Sequence, residues 1–268
     1  MRRPNKVAFF CLSSGSNSNC FYLGYEDYGI LIDAGLGIRK TLQRLQEHNI
    51  EIESIKAILI THDHIDHIRA VAALGERREI PIYATPKTIE GINSREDITP
   101  KLESCVRHIQ KECPIAIEAF EVTAFALPHD ASDSVGYRVR VEDISFVFMT
   151  DLGHLPSTAV PYVREATHLV IEANHDIAML RRSTKYPKQL KERISSDHGH
   201  LGNHQTASYI EQYVSDTISH IWLCHLSKEN NDPEIAHRDI LQALTKRSLD
   251  NVRLEVLHHG IESEYIYL

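Results

Sequence analysis

Apolar positions along the chain fall into short blocks with two different periods. "KVAFFCLSS", "NCFYLGYE" and "YGILIDAG" are rich in aromatic and β-branched residues, and the "SGSNSN" and "EDYG" between them have turn compositions, so the chain opens as strands. "IRKTLQRLQEHN" changes the period: Ile38, Leu42 and Leu45 recur at helical spacing. "IKAILIT" reads as a buried strand, "HIRAVAALGERR" as a helix and "IPIYATP" as a further strand. From about residue 107 to 150 the pattern returns to strands, in "IAIEAFEVTAFALPH", "SVGYRVRVE" and "ISFVFMTD". The last third alternates. "HLVIEA", "HIWLCHLS" and "RLEVLHHG" read as strands, while "HDIAMLRR", "PKQLKERIS", "HQTASYIEQYV" and "PEIAHRDILQALTKR" read as helices, the last started by Asp232 before Pro233. Repeats, low-complexity tracts and Pro/Gly/Ser linkers are absent. This order predicts one α/β (α+β) domain over residues 1–268, with sheets inside and helices outside.

The polar residues add a second regularity, at the ends of the predicted strands. "ILID" ends in Asp33, "FALP" leads to His129, "FVFMT" to Asp151 and "IWLC" to His225. "ILIT" runs into His62, Asp63, His64, Asp66 and His67. Imidazoles and carboxylates from several strands would then share one sheet edge, and that ligand set suits zinc, manganese or iron. In an extended segment His62 and His64 point to one side and Asp63 to the other. Asp66 and His67 follow a bend where a helix starts, and can face a second ion. Two ions about 3.5–4 Å apart clamp the attacking and leaving oxygens of one displacement. Taken singly, Asp33 and Asp151 also fit as turn residues before glycine.

Composition narrows the setting. A net charge of −8 gives no global signal for nucleic acid. The five cysteines lack CxxC spacing and fit buried thiols of a cytoplasmic protein. No export signal or membrane span is expected, and nothing calls for an obligate protein partner.

"THDHIDH" resembles the HxHxDH motif of the metallo-β-lactamase fold, and Asp33, His129, Asp151 and His225 follow in the order of that superfamily's other motifs. "CLSSGSNSNC", "IEANHDIAMLRRSTKYPKQLKERI", "GHLGNHQTA" and "CHLSKENND" are similar to its YycJ/WalJ (VicX)-type branch. The resemblance implies a four-layer αββα sandwich and two divalent ions. His62, His64 and His129 would hold one, Asp66, His67 and His225 the other, with Asp151 bridging and Asp33 orienting a ligand. It also implies a 5′-to-3′ DNA exonuclease. The large nucleases of the superfamily carry an inserted clamp domain, for which Asp151 and His225 lie too close together here.

Leaving-group protonation needs an acid. Glu172 and His200 resemble the Glu-and-His pair of tRNA 3′-processing and cyclic-phosphodiesterase relatives, with His198 the fallback, so the expected catalytic set is Asp66, His200 and Glu172. Asn203 is expected to cap the helix that follows. Ser14 and Ser16 would bind a phosphate, or simply turn a hairpin. The run from Arg181 to Arg193, with Arg182 and Lys185, holds Glu192 as its sole acid and would track a nucleic-acid backbone, or form a solvated helix face. A small-molecule hydrolase acting on a cyclic phosphodiester, thioester or lactone is the alternative. A non-enzymatic metal module is disfavoured, since a structural zinc site needs only four ligands.

Overall fold

A computed structural model describes residues 6–268. Two seven-stranded sheets lie face to face. The first contains β1 (Val7–Ser13), β2 (Cys20–Tyr25), β3 (Tyr28–Ile32), β4 (Ile55–Leu59), β5 (Ile82–Ala84) and β6 (Val106–His108). The second contains β7 (Ile115–Ile117), β8 (Phe120–Ala126), β9 (Val135–Val141), β10 (Ile144–Met149), β11 (His168–Glu172), β12 (His220–Cys224) and β13 (Arg253–Val256). β14 (Ile266–Tyr267) returns to pair with β1, at the edge of the first sheet.

Helices α1 (Ile38–Glu47), α2 (Ile65–Ile68), α3 (Val71–Gly75) and α4 (Pro86–Ser94) accompany the first sheet. Those of the second half are α5 (Val160–Glu165), α6 (Ile177–Arg182), α7 (Lys188–Ile194), α8 (Asn203–Tyr213) and α9 (Pro233–Lys246).

The period-2 alternation of β1 shows why the layers form. Phe10 and Leu12 pack with Leu45, Val71 and Ile89 on the helical side. Phe9 and Cys11 point the other way, into an inter-sheet core with Phe146, Phe148 and Trp222. On the far side of the second sheet, Val147, Leu169 and Leu223 meet Val163, Ile210 and Ile240. Three apolar layers between four layers of backbone make the expected αββα sandwich. Among the described residues no helix is long and apolar enough to cross a membrane.

Strand direction positions the chemistry. β3 to β6 pair in parallel, as do β10 to β13. β9 is antiparallel to both β8 and β10, so those two also run the same way. The carboxyl ends of β3, β4, β8, β10, β11 and β12 therefore carry their following residues to one edge, where open α/β sheets bind ligands.

Several element boundaries depart from the sequence pattern. "HIRAVAALGERR" is not one helix: Ala34 N donates to His67 O at 2.7 Å and Ala70 N to Ala34 O at 2.8 Å, and these long-range bonds separate α2 from α3. "IAIEAFEVTAFALPH" folds as the hairpin β7–β8 through Glu118 at φ 51°. α4, capped by Thr85 and begun by Pro86, follows the strand of "IPIYATP" in a stretch to which the sequence pattern assigns no element. Asn203 does not cap α8. It lies inside the helix, Gly202 is the cap, and the Asn203 amide pairs with Asn231.

Candidate metal centre

The loops after β3, β4, β8, β10 and β12 bring the strand-end residues together. Asp33, Asp151 and His225 sit at φ 61°, 55° and 55°. Non-glycine residues in the left-handed region cost on the order of 1–3 kcal/mol each, strain that clusters at functional sites. Gly35 allows the tightest approach: a Cβ there would lie 1.5 Å from the Asp66 carbonyl oxygen.

The ligand-type atoms form four groups whose members lie within 4.8 Å of one another: His62, His64 and His129; Asp66, His67 and His225; His62, His67 and Asp151; and Asp151, Glu172, His200 and His225. Asp151 spans the groups. Its Oδ1 is 3.4 Å from His225 Nε2 and 3.7 Å from His129 Nε2, and its Oδ2 is 3.2 Å from His67 Nε2.

Each imidazole is aimed by a bond to its other nitrogen, the arrangement that fixes tautomer and ring orientation at metal sites. His67 Nδ1 donates to Asp33 Oδ2 at 2.7 Å, and Asp33 is itself held by Thr61 N and Oγ1. His129 Nδ1 donates to Gly199 O at 3.0 Å. His225 Nδ1 donates to Glu172 Oε1 at 2.8 Å. His64 is reversed: its Nε2 meets Asp130 O at 3.2 Å, which turns Nδ1 to the cluster.

This donor set fits metal. His62 Nε2, His129 Nε2, His225 Nε2 and Asp151 Oδ2 are buried atoms with no hydrogen-bond partner among the described residues. Unsatisfied buried polar atoms cost about 1–3 kcal/mol each, and cations held by these groups would satisfy all four. Burial holds His62 and His129 below the usual histidine range, so both present neutral rings. At His67 and His225 burial also opposes charge, but carboxylates led by Asp151 outweigh it and raise both, His225 to about 10. That half of the centre is built around positive charge.

Asp63 turns away as its alternation predicts, and accepts from Ser132 N and Oγ at 3.2 and 2.5 Å. Asp63→Asn is accordingly expected to keep its full metal content, while Asp66→Asn weakens only the group with His67 and His225. Metal analysis of the two variants checks this, and equal losses would contradict it.

Glu172 is fully buried. Its Oε1 is 2.8 Å from both His200 Nδ1 and His225 Nδ1, and its Oε2 accepts from Leu152 N and Leu201 N at 3.2 and 3.0 Å. Burial works against its charge, yet His200 and His225 hold its pKa down to about 2. Burial likewise opposes charge on His200, but Glu172 raises its pKa above the usual value. The His200 ring stands 5.1 Å from His129 and 5.2 Å from His225, centroid to centroid, and is 21% exposed. His198 is exposed.

The expected substrate contacts separate. Ser14 is buried, and its Oγ accepts from His225 N at 2.8 Å, so it supports His225 from behind instead of facing an open surface. Ser16 is exposed beside His200. Lys185 pairs with Glu229, and Arg193 with Asp130 at 2.5 Å. The basic run is thus partly neutralised by acids distant in sequence, which corrects the count of Glu192 alone. Arg181 and Arg182 are exposed and make no ion pair among the described residues.

Three contributors carried no sequence signal. The Asn19 amide approaches His67 Nε2 at 3.0 Å and Asp66 Oδ2 at 3.4 Å. Asp130 supports His64, and the Asn174 amide donates to His225 O at 2.9 Å. Asn19 stood in a run that resembled a turn, and the other two are placed by tertiary structure alone.

The profile of the beta-lactamase superfamily domain matches residues 28–225. Exodeoxyribonuclease WalJ of Streptococcus pneumoniae is 37% identical over 239 residues, covering 89% of this chain and 88% of that protein. Exodeoxyribonuclease YycJ of Bacillus anthracis is 31% identical, covering 89% of each. The crystal structure of the metallo-beta-lactamase fold protein YhfI from Bacillus subtilis superposes with a TM-score of 0.70 at 15% identity, over 96% of this chain and 99% of that one. The chain therefore belongs to the beta-lactamase superfamily, in its YycJ/WalJ-type branch, and is a metal-dependent hydrolase of that family.

Proposed function

We propose that the protein is a two-metal phosphodiesterase that removes nucleotides from DNA ends in the 5′-to-3′ direction, in the cytoplasm, as one domain without an inserted clamp. The observation that carries the reading is the pair Glu172–His200, a ring held at 2.8 Å by a buried carboxylate beside ligands of both groups. A sugar alkoxide leaves poorly without a proton, whereas a thiolate does not need one, so the pair suits a phosphodiester better than a thioester. WalJ and YycJ, which match over most of their lengths, are exodeoxyribonucleases, and this supports DNA as the substrate.

His62, His64 and His129 would hold one ion and Asp66, His67 and His225 the other, with Asp151 reaching both. Zinc and manganese fit, and iron is accepted by the same ligands. When bound, divalent ions supply a hydroxide nucleophile at neutral pH and neutralise phosphate charge.

The protein's own groups do the rest. Asp33 and Glu172 fix the tautomers of His67 and His225. Asp66 keeps its carboxylate ionised beside the reacting phosphate. His200 donates a proton to the leaving oxygen. Ser16, Arg181 and Arg182 would meet the strand.

A small cyclic phosphodiester is the second reading, favoured by the neutralisation of Lys185 and Arg193. Assaying the manganese- or zinc-loaded protein on 5′-labelled duplex DNA, bis-p-nitrophenyl phosphate and a thioester separates these. Mononucleotides released from the duplex, with the thioester untouched, are expected. Turnover of the small diester alone would move the assignment to the second reading.

A further inference from the structure

Beside His200 lies a cavity of about 190 Å³ that the two-metal reading leaves unused. Its walls are Tyr186, between α6 and α7, and Leu190 and Ile194 of α7, with Ser16 and Ser227 adding hydroxyls. Arg193 also lines it, but its guanidinium is committed to Asp130 at 2.5 Å. A phosphate seeks an unpaired cation. An aromatic face with aliphatic walls and paired charges instead suits a flat, uncharged ring. The volume accommodates one nucleobase and excludes a base pair.

Position says which base. The proposed hydrolysis forms a bond from the water oxygen to phosphorus and breaks the bond from phosphorus to O3′ of the terminal nucleotide, which departs with a proton from His200. His200 Nδ1 is committed to Glu172, so Nε2 is the ring nitrogen left to deliver that proton. Because His200 is itself part of the cavity wall, the group nearest the cavity is the departing nucleoside.

The geometry points to a slot for the terminal nucleobase, walled by Tyr186, Leu190 and Ile194, which selects an unpaired end nucleotide without reading its identity. The assignment rests on the phosphodiesterase reading for its orientation. It gives this chain a means of recognising ends that depends on apolar contact more than on the basic run.

Calorimetric titration of the manganese-loaded protein tests it, with thymidine 5′-monophosphate against 2-deoxyribose 5-phosphate. The two ligands share sugar and phosphate and differ by the base. The mononucleotide is expected to bind roughly tenfold to a hundredfold more tightly, the range that stacking of a base on an aromatic side chain provides. Tyr186→Ala should abolish that advantage and Tyr186→Phe should keep it, with metal content and circular dichroism confirming that both variants fold. Equal affinities in the wild-type protein, or an advantage that survives in Tyr186→Ala, would overturn the slot. The titration involves no turnover, so failure here leaves the phosphodiesterase reading intact. Failure of the wild-type protein to cut DNA falls on that reading instead, and the slot then stands or falls on the affinities.

Discussion

His200→Ala is expected to retain its metals and much of its turnover of bis-p-nitrophenyl phosphate while losing about 10²–10⁴-fold on DNA, the usual worth of general acid catalysis. The contrast comes from the leaving groups. p-Nitrophenolate departs with little help, whereas a sugar alkoxide must be protonated as its bond breaks. His200 is placed for this by one bond, to a Glu172 that also holds His225. Its raised pKa keeps the acid form to higher pH than an ordinary histidine would. The rate on DNA should therefore fall on the alkaline side as His200 loses its proton, and that limb should disappear in the variant. Parallel pH–rate profiles on both substrates check it. A loss of metal with equal damage on both substrates would make His200 a ligand. No loss on either would place the acid elsewhere, with His198 the next to test.

Asp151→Asn is expected to weaken both metal groups together. Removing an outer hydrogen-bonding partner of a metal ligand typically costs about 10–100-fold in affinity or activity, and losing a carboxylate that reaches ligands of both groups should exceed that. The carboxylate lies within 3.7 Å of His129, His225 and His67 nitrogens. The amide has lower affinity for divalent ions and cannot offset their charge. Metal analysis and activity on DNA should fall together, in contrast to Asp66→Asn, where only one group weakens. Loss of a single ion in Asp151→Asn would show that Asp151 does not bridge.

The clustered edge was legible because parallel strands of similar length bring their carboxyl ends into register, so a ligand-type residue after each strand becomes a cluster. His62 stood in a cluster that pointed to metal by itself, whereas Asp33, His129, Asp151 and His225 gained that reading from their shared position at strand ends. What the sequence hid was decided by contacts between distant segments. The break between α2 and α3 depends on bonds to Ala34, in a loop after β3. The turn at Glu118 has neither glycine nor proline to announce it. Ser14 read as a ligand for substrate, because a Gly/Ser loop looks alike whether it faces solvent or lies beneath His225. Lys185 and Arg193 read as free cations because Glu229 and Asp130 are far away in the chain. Glu172 was found as the partner of His200, but its second bond, to His225, depends on how β11 and β12 align. Substituting it should therefore disturb the metal group as well as the acid.

The most direct measurement follows the atoms: a brief digestion of 5′-phosphorylated duplex DNA by the metal-loaded protein in heavy-oxygen water, with both products weighed. The account predicts a released mononucleotide with an unlabelled 3′-hydroxyl, a shortened strand whose new 5′-phosphate carries one heavy oxygen, and neither product once the metal is chelated. A 3′-phosphate on the released nucleotide, internal fragments without mononucleotide, or cleavage that survives chelation would contradict it.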